Sequence, residues 1–175
     1  MNSSIFDTIL GIGVIVLQIK ALYLILHLIF PKKVPIPDFA KKHYLLGITL
    51  LGFLGMIGSL IYSEIVGFPP CNLCWYQRIA IYSIAIIGLV ALVKRYKKEV
   101  VDFVQVLSGL GLIIAILHVI QEQTGVSLIC SATGVSCSKQ LVYALGYISI
   151  PMMSLSILLV TFLVTILMKK EMKNK

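Results

Sequence analysis

The chain alternates between long apolar runs and short polar gaps. Apolar stretches cover residues 5–30, 44–66, 75–93, 100–120 and 148–168. Each is near or above the roughly 20 residues that a helix needs to cross a bilayer. The pattern predicts an all-α integral membrane protein: a four-helix transmembrane bundle plus one extra N-terminal transmembrane helix. Between the first two runs, Pro31, Pro35 and Pro37 alternate with Lys32, Lys33, Lys41 and Lys42. Proline removes a backbone donor and disfavours helix in the residue before it. The expected organisation is therefore an accessory helix over 1–30, a Pro/Lys linker over 31–42, a four-helix core over 43–168 and a basic tail over 169–175.

Charge orients this pattern. Charged residues make up only 13% of the chain, yet its net charge is +8. The basic residues gather as Lys32, Lys33, Lys41 and Lys42, then Lys94, Arg95, Lys97 and Lys98, then Lys169, Lys170, Lys173 and Lys175. Only Lys20, Arg78 and Lys139 lie elsewhere. Clusters after the first, third and fifth runs follow the positive-inside rule and predict N-terminus outside, C-terminus inside. Attraction to anionic lipid accounts for them without nucleic acid. The location expected is a membrane whose cytoplasmic side carries the lysine clusters.

Two segments carry competing readings. Gln18 and Lys20 sit near the middle of the first run, where a central Lys costs about 2.5–3.5 kcal/mol on insertion scales. A helix lying at the interface is the alternative, but the length of the run and the Lys32–Lys33 pair after it favour spanning. No basic stretch precedes its apolar core, so it does not read as an ordinary signal peptide. In the second run, Gly47, Gly52, Gly55, Gly58 and Ser59 offer a small-residue face for close helix approach. Glu64 near its outer end reads either as a solvated interfacial group or as a proton-handling group near the cysteines.

The predicted topology places the gaps 67–74 and 121–147 on one side, outside the cytoplasm. These gaps hold Cys71, Cys74, Cys130 and Cys137, in a compartment where disulfides persist. Pro69 and Pro70 end the second helix, and the next is expected to begin near Cys74 or Trp75. A C-x-x-C at a helix start brings two sulfurs within bonding reach, and the helix N-terminus stabilises a thiolate, here expected at Cys74. Arg78 lies one turn deeper on the same face. It reads either as an interfacial anchor beside Trp75 and Tyr76 or as a cation serving that thiolate or an anionic acceptor. In the second pair Gly134 permits a tight turn, and a structural disulfide is the simplest account of Cys130 and Cys137. All four cysteines as zinc ligands is a rival, disfavoured by the six residues between the second pair and by the oxidising side.

The run Pro70, Cys71, Asn72, Leu73, Cys74, Trp75, Tyr76, Gln77, Arg78, Ile79 closely resembles the C-x-x-C-x-Y-x-R segment of the DsbB disulfide-bond formation proteins. Ser63, Glu64, Ile65 and the close second pair look most like the BdbC-type branch. The resemblance covers about residues 42–168. Vitamin K epoxide reductase relatives place their outer pair before the C-x-x-C, the reverse of the order here. The resemblance implies a thiol oxidase that passes electrons to a membrane quinone, ubiquinone or menaquinone. It implies a DsbA-like, thioredoxin-fold oxidase as partner. Cys130 would form the mixed disulfide with that partner, Cys137 would pass electrons to Cys71, and Cys74 would face the quinone. Arg78 would assist quinone binding, and His118 matches a histidine near the quinone.

A DsbA couple near about −120 mV needs an acceptor of comparable or higher potential, which a quinone provides. No dinucleotide or P-loop fingerprint is present. Two departures from the family stand out. Gln77 occupies the place of a Glu found before Arg in some relatives, and the first helix lies outside the usual core. Outside this resemblance, the competing readings are a membrane anchor with two structural disulfides and a four-cysteine metal site.

Overall fold

The computed structural model describes residues 3–31, 33–94, 98–126, 137 and 142–173. Its long helices are α1 (Ser3–Ile29), α3 (Tyr44–Leu60), α4 (Asn72–Lys94), α5 (Lys98–Thr124) and α6 (Ile150–Lys173). A short α2 (Asp38–Lys42) lies in the linker. Five helices are long and apolar enough to cross a membrane, and the fold is an all-α integral membrane bundle.

The outward faces confirm the solvent for which the helices are built. On α5, Phe103, Val106, Leu110, Ile113, Leu117 and Ile120 are all exposed, at the alternating three- and four-residue spacing of a single helix face. Such a stripe would be an aggregation hazard in water and is ordinary against lipid. Inside, Leu45 and Ile48 of α3, Ile81 and Ile84 of α4, Val104 and Ala115 of α5 and Leu158 of α6 form the main core.

Helix association in lipid depends on close packing and interhelical hydrogen bonds. At Gly52 a Cβ would come within 2.9 Å of the Ala85 backbone nitrogen, so α3 and α4 meet backbone to backbone there. Of the other small residues on this face, Gly47 faces open space and Gly55 meets Ile81 and Ile157.

The first helix stands beside α6, with Ala21 packed against Val160 and Leu163. Polar ties hold it: Tyr62 OH donates to Asp7 Oδ1 at 2.7 Å, and Tyr147 OH donates to Gln18 Oε1 at 2.7 Å. Gln18 is thus paired, whereas Lys20 is exposed. At the helix's other end, Tyr23 donates to the Pro35 carbonyl and His27 Nδ1 meets the Val34 carbonyl. Lys41–Glu171 at 3.0 Å and Lys169–Asp102 at 2.7 Å join linker, α5 and α6 at this lysine-bearing end. Lys32, Arg95, Lys97, Lys139 and Lys175 lie outside the described residues. Cys71, Cys74 and Cys137 lie at the opposite end of the bundle.

Candidate redox site

The end of α3 prepares the approach to the first cysteine pair. Its last turn widens into a π-helical turn, Ile61–Ile65, a distortion that recurs at functional sites. Gly67 then takes φ +81°, and the Phe68 N–H closes back onto the Tyr62 carbonyl at 2.9 Å. Glu64 on this turn is exposed and accepts from Ser63 Oγ at 2.9 Å. Its exposure fits a solvated interfacial group.

α4 begins at Asn72, a turn earlier than the sequence suggests, and this relocates the thiolate. Cys71 becomes the capping residue. Its carbonyl accepts the first helical hydrogen bond from Trp75 N–H at 3.2 Å, and its Sγ accepts the Cys74 N–H at 3.3 Å. This is the N-cap geometry usually supplied by Ser or Asp, here made with sulfur. The helix dipole therefore favours a thiolate at Cys71 instead of Cys74.

Two further contacts act on the same sulfur. Cys74 Sγ lies 2.9 Å away, both thiols are free, and His118 Nε2 lies 3.6 Å away on α5. The Cys71 thiol is held well below the ordinary cysteine range. The Cys74 S–H hydrogen bond contributes most, burial opposes it, and the His118 hydrogen bond and the Cys74 backbone N–H add to the lowering.

Cys137 is disulfide-bonded and packs with Cys71 and Leu73 in one buried cluster. The ligating atoms of Cys71, His118 and Cys137 all lie within 4.8 Å of one another. This trio has the makings of a metal site, but a disulfide sulfur carries no thiolate to ligate with. It instead sets a free sulfur against a disulfide sulfur. Cys130 lies outside the described residues.

The two cysteines of the first pair face different surroundings. Cys71 is buried, whereas Cys74 is partly exposed and precedes Trp75, which is 53% exposed on the lipid side. Arg78, buried at 9% exposure, sits one turn below. Its Nε donates to Ser59 Oγ at 2.9 Å and its Nη2 to the Ser59 carbonyl at 3.0 Å. The guanidinium also lies 5.3 Å from the Trp75 ring centroid, a cation–π contact. Arg78 is thus both a tie between α3 and α4 and a charge acting on Cys74.

His118 is 3% exposed, and both ring nitrogens are occupied: Nε2 by Cys71 and Nδ1 by Gln77 Nε2 at 3.0 Å. The structure therefore assigns this histidine to Cys71. Sequence reasoning missed three partners: Gln77, Ser59 and the buried Glu122, which accepts from Ser149 Oγ one turn beyond His118. Only the helical spacing of His118 and Glu122 could have signalled the last.

The family described as disulfide bond formation protein DsbB matches residues 41–168. The chain is 45% identical over 114 residues to an SPbeta prophage-derived disulfide bond formation protein B of Bacillus subtilis, covering 65% of this chain and 76% of that protein. It is 35% identical to disulfide bond formation protein C of Bacillus subtilis, covering 70% of this chain and 89% of the relative. A probable disulfide formation protein of Oceanobacillus iheyensis is also 35% identical, over 77% of this chain and 94% of its own length. No solved structure matches the chain.

Proposed function

The chain belongs to the DsbB family of disulfide bond formation proteins, and we propose that it re-oxidises an extracytoplasmic, DsbA-like thiol oxidase and delivers the electrons to a membrane quinone. Family membership carries the coarser statement: a multi-pass membrane protein that oxidises thiols in disulfide bond formation. The finer reading rests chiefly on one observation. Within a single C-x-x-C, the buried Cys71 has its sulfur within 4.8 Å of the Cys137 sulfur, and the partly exposed Cys74 is the one on which the Arg78 charge acts.

In this reading the lysine-bearing end lies in the cytoplasm and the cysteine end outside. A partner thiolate attacks Cys130 of a Cys130–Cys137 disulfide, and Cys137 leaves as thiolate. The partner's second thiolate attacks the mixed disulfide, which releases oxidised partner and leaves Cys130 reduced. Cys137 thiolate then attacks Cys71 of a Cys71–Cys74 disulfide, and Cys74 leaves as thiolate. Attack by Cys130 on Cys137 restores the outer disulfide and frees Cys71. Two electrons and two protons now reside on the first pair. Free Cys71 and Cys74 beside a disulfide-bonded Cys137 match that stage.

The residues beside Cys74 fit a quinone. Ser59 takes Nε and Nη2 of Arg78, and among the described residues no partner is recorded for Nη1, which would be the group to donate to a quinone carbonyl oxygen. A quinone supplies a sink for two electrons and two protons. The chain's part is to hold Arg78 by its Ser59 tie, hold Trp75 beneath the guanidinium, and keep Cys74 within reach of lipid.

The test is oxidation of a DsbA-like dithiol by purified protein supplied with ubiquinone or menaquinone. Rapid turnover with one quinone, lost in Cys71→Ser and Cys74→Ser, is expected. Full turnover in a quinone-free preparation would sink the proposal.

A further inference from the structure

Behind Cys71 lies a pair of buried side chains whose chemistry the family reading leaves unused. Gln77 and His118 are each 3% exposed. Gln77 Nε2 meets His118 Nδ1 at 3.0 Å, and His118 Nε2 meets Cys71 Sγ at 3.6 Å. Together they form a chain from α4 through α5 to the sulfur that caps α4.

An amide nitrogen only donates. The ring nitrogen facing it must therefore accept, so Nδ1 carries no proton. A neutral imidazole then keeps its single proton on Nε2, the nitrogen turned to Cys71. Every group in the chain is satisfied by this one arrangement. Gln77 donates to Nδ1, Nε2–H donates to sulfur, and the sulfur accepts as thiolate beside the Cys74 N–H. An imidazolium would set an N–H against the amide N–H₂. The opposite tautomer would do the same and would also leave a lone pair facing the thiolate.

We propose that Gln77 is a positioning residue that locks His118 as the neutral Nε2–H tautomer and so keeps Cys71 a thiolate facing the Cys137 disulfide. The inference rests on the reading of Cys71 as the sulfur that exchanges with Cys137, but its tautomer claim is separately testable. It also gives a meaning to the amide in place of a carboxylate. A Glu here would accept from Nδ1–H, drawing the ring toward the other tautomer or toward imidazolium. Among the described residues, the other polar or charged groups facing this sulfur and ring are Cys74, Arg78 beside Cys74, and Glu122 on α5 with Ser149 on its carboxylate.

Two measurements on the full-length protein in detergent, neither needing partner or quinone, decide the matter. The first is nitrogen NMR of ¹⁵N-histidine-labelled protein, with the His118 signals identified by their loss in His118→Asn. The second is the pH dependence of Cys71 alkylation, followed by mass spectrometry. The wild type should show protonated Nε2 and unprotonated Nδ1. Gln77→Leu should raise the alkylation midpoint by about one pH unit, an about tenfold fall in thiolate at pH values well below both midpoints. Gln77→Glu, nearly the same shape, should move His118 to Nδ1–H or to imidazolium. A wild-type Nδ1–H ring would overturn the proposal. So would a Gln77→Leu midpoint equal to wild type. If the Leu variant does not fold, unchanged histidine signals in Gln77→Glu overturn it equally. Wild-type Nε2–H with no exchange at Cys71 would instead refute the redox reading and leave the tautomer standing.

Discussion

Cys71 and Cys137 place their sulfurs within 4.8 Å of each other in a buried cluster, one sulfur free and the other in a disulfide. In the proposed relay the roles within the first pair separate accordingly: Cys71 exchanges with the outer disulfide, and the partly exposed Cys74 serves the quinone.

That division predicts different outcomes for two conservative changes. In Cys74→Ser, Cys71 keeps its partner and should accumulate as a Cys71–Cys137 disulfide, seen by mass spectrometry under non-reducing conditions. In Cys71→Ser, no such species should form. Both variants should lose turnover by at least ~10³-fold, since a group acting as a unit fails when any member is removed. A Cys74–Cys137 species dominating in Cys71→Ser would reverse the assignment.

The depressed Cys71 thiol makes a pH prediction with a definite sign. The folded state binds this proton more weakly than the unfolded chain does. The resulting contribution to stability is complete above the ordinary thiol pKa of about 8.5 and declines as pH falls toward the lowered folded value. Alkylation of reduced protein should accordingly remain fast at Cys71 below pH 7. Denaturant titrations should show Cys71→Ser losing its stability deficit as pH is lowered. A Cys71 alkylation midpoint near that of a free thiol would contradict both expectations.

Arg78 and Ser59 predict a coupling between stability and cofactor binding. Ser59→Ala removes the Oγ acceptor but leaves the carbonyl. It should cost about 0.6–1.7 kcal/mol, the range for interhelical hydrogen bonds in membranes. Arg78→Lys loses the planar fork that reaches both acceptors and should cost more. Both should raise the KM for quinone, Arg78→Lys more strongly, with Cys71 alkylation little changed. Thermal unfolding and quinone kinetics on the same preparations check this.

Much of this was legible before the structure. The apolar runs and lysine clusters mark the helices because lipid allows no other backbone solution, and Arg78 announced itself as an expensive group one turn from Cys74. Two things were not legible. The start of α4 depends on whether Cys71 caps or precedes the helix, and sequence rules reserve that place for Ser, Thr, Asp or Asn. A sulfur cap leaves no such mark, so the thiolate was expected one turn late. Gln77, His118 and Glu122 come together only through the pairing of α4 with α5, and Gln77 taken alone reads as a missing carboxylate.

The first helix lies outside the family core, yet its polar ties are specific. Tyr62, on the π-turn that leads to the cysteines, donates to Asp7, and Phe6 packs edge-on to the same ring. Tyr62→Phe and Asp7→Ala should each cost about 0.6–1.7 kcal/mol. The double variant should cost about as much as either one, because they remove a single bond. Additive losses in the unfolding free energy would show that the two side chains act independently.

Gly52 sets the distance on which the site depends. A Cβ there would lie 2.9 Å from the Ala85 backbone nitrogen and 3.0 Å from the Ala85 Cα and Cβ. Backbone cannot yield as a flexible side-chain tip does, so Gly52→Ala must push α3 from α4. The expected loss is about 1–3 kcal/mol, the usual cost of overpacking. Ser59 lies two turns further along α3, and the same displacement lengthens its bonds to Arg78. The variant should therefore pair lower stability with a raised KM for quinone, as Ser59→Ala does, although Gly52 touches neither Arg78 nor a cysteine. Restoring room with Ala85→Gly in the same chain should recover both properties. Recovery of stability alone would mean that Arg78 is held independently of the α3–α4 distance.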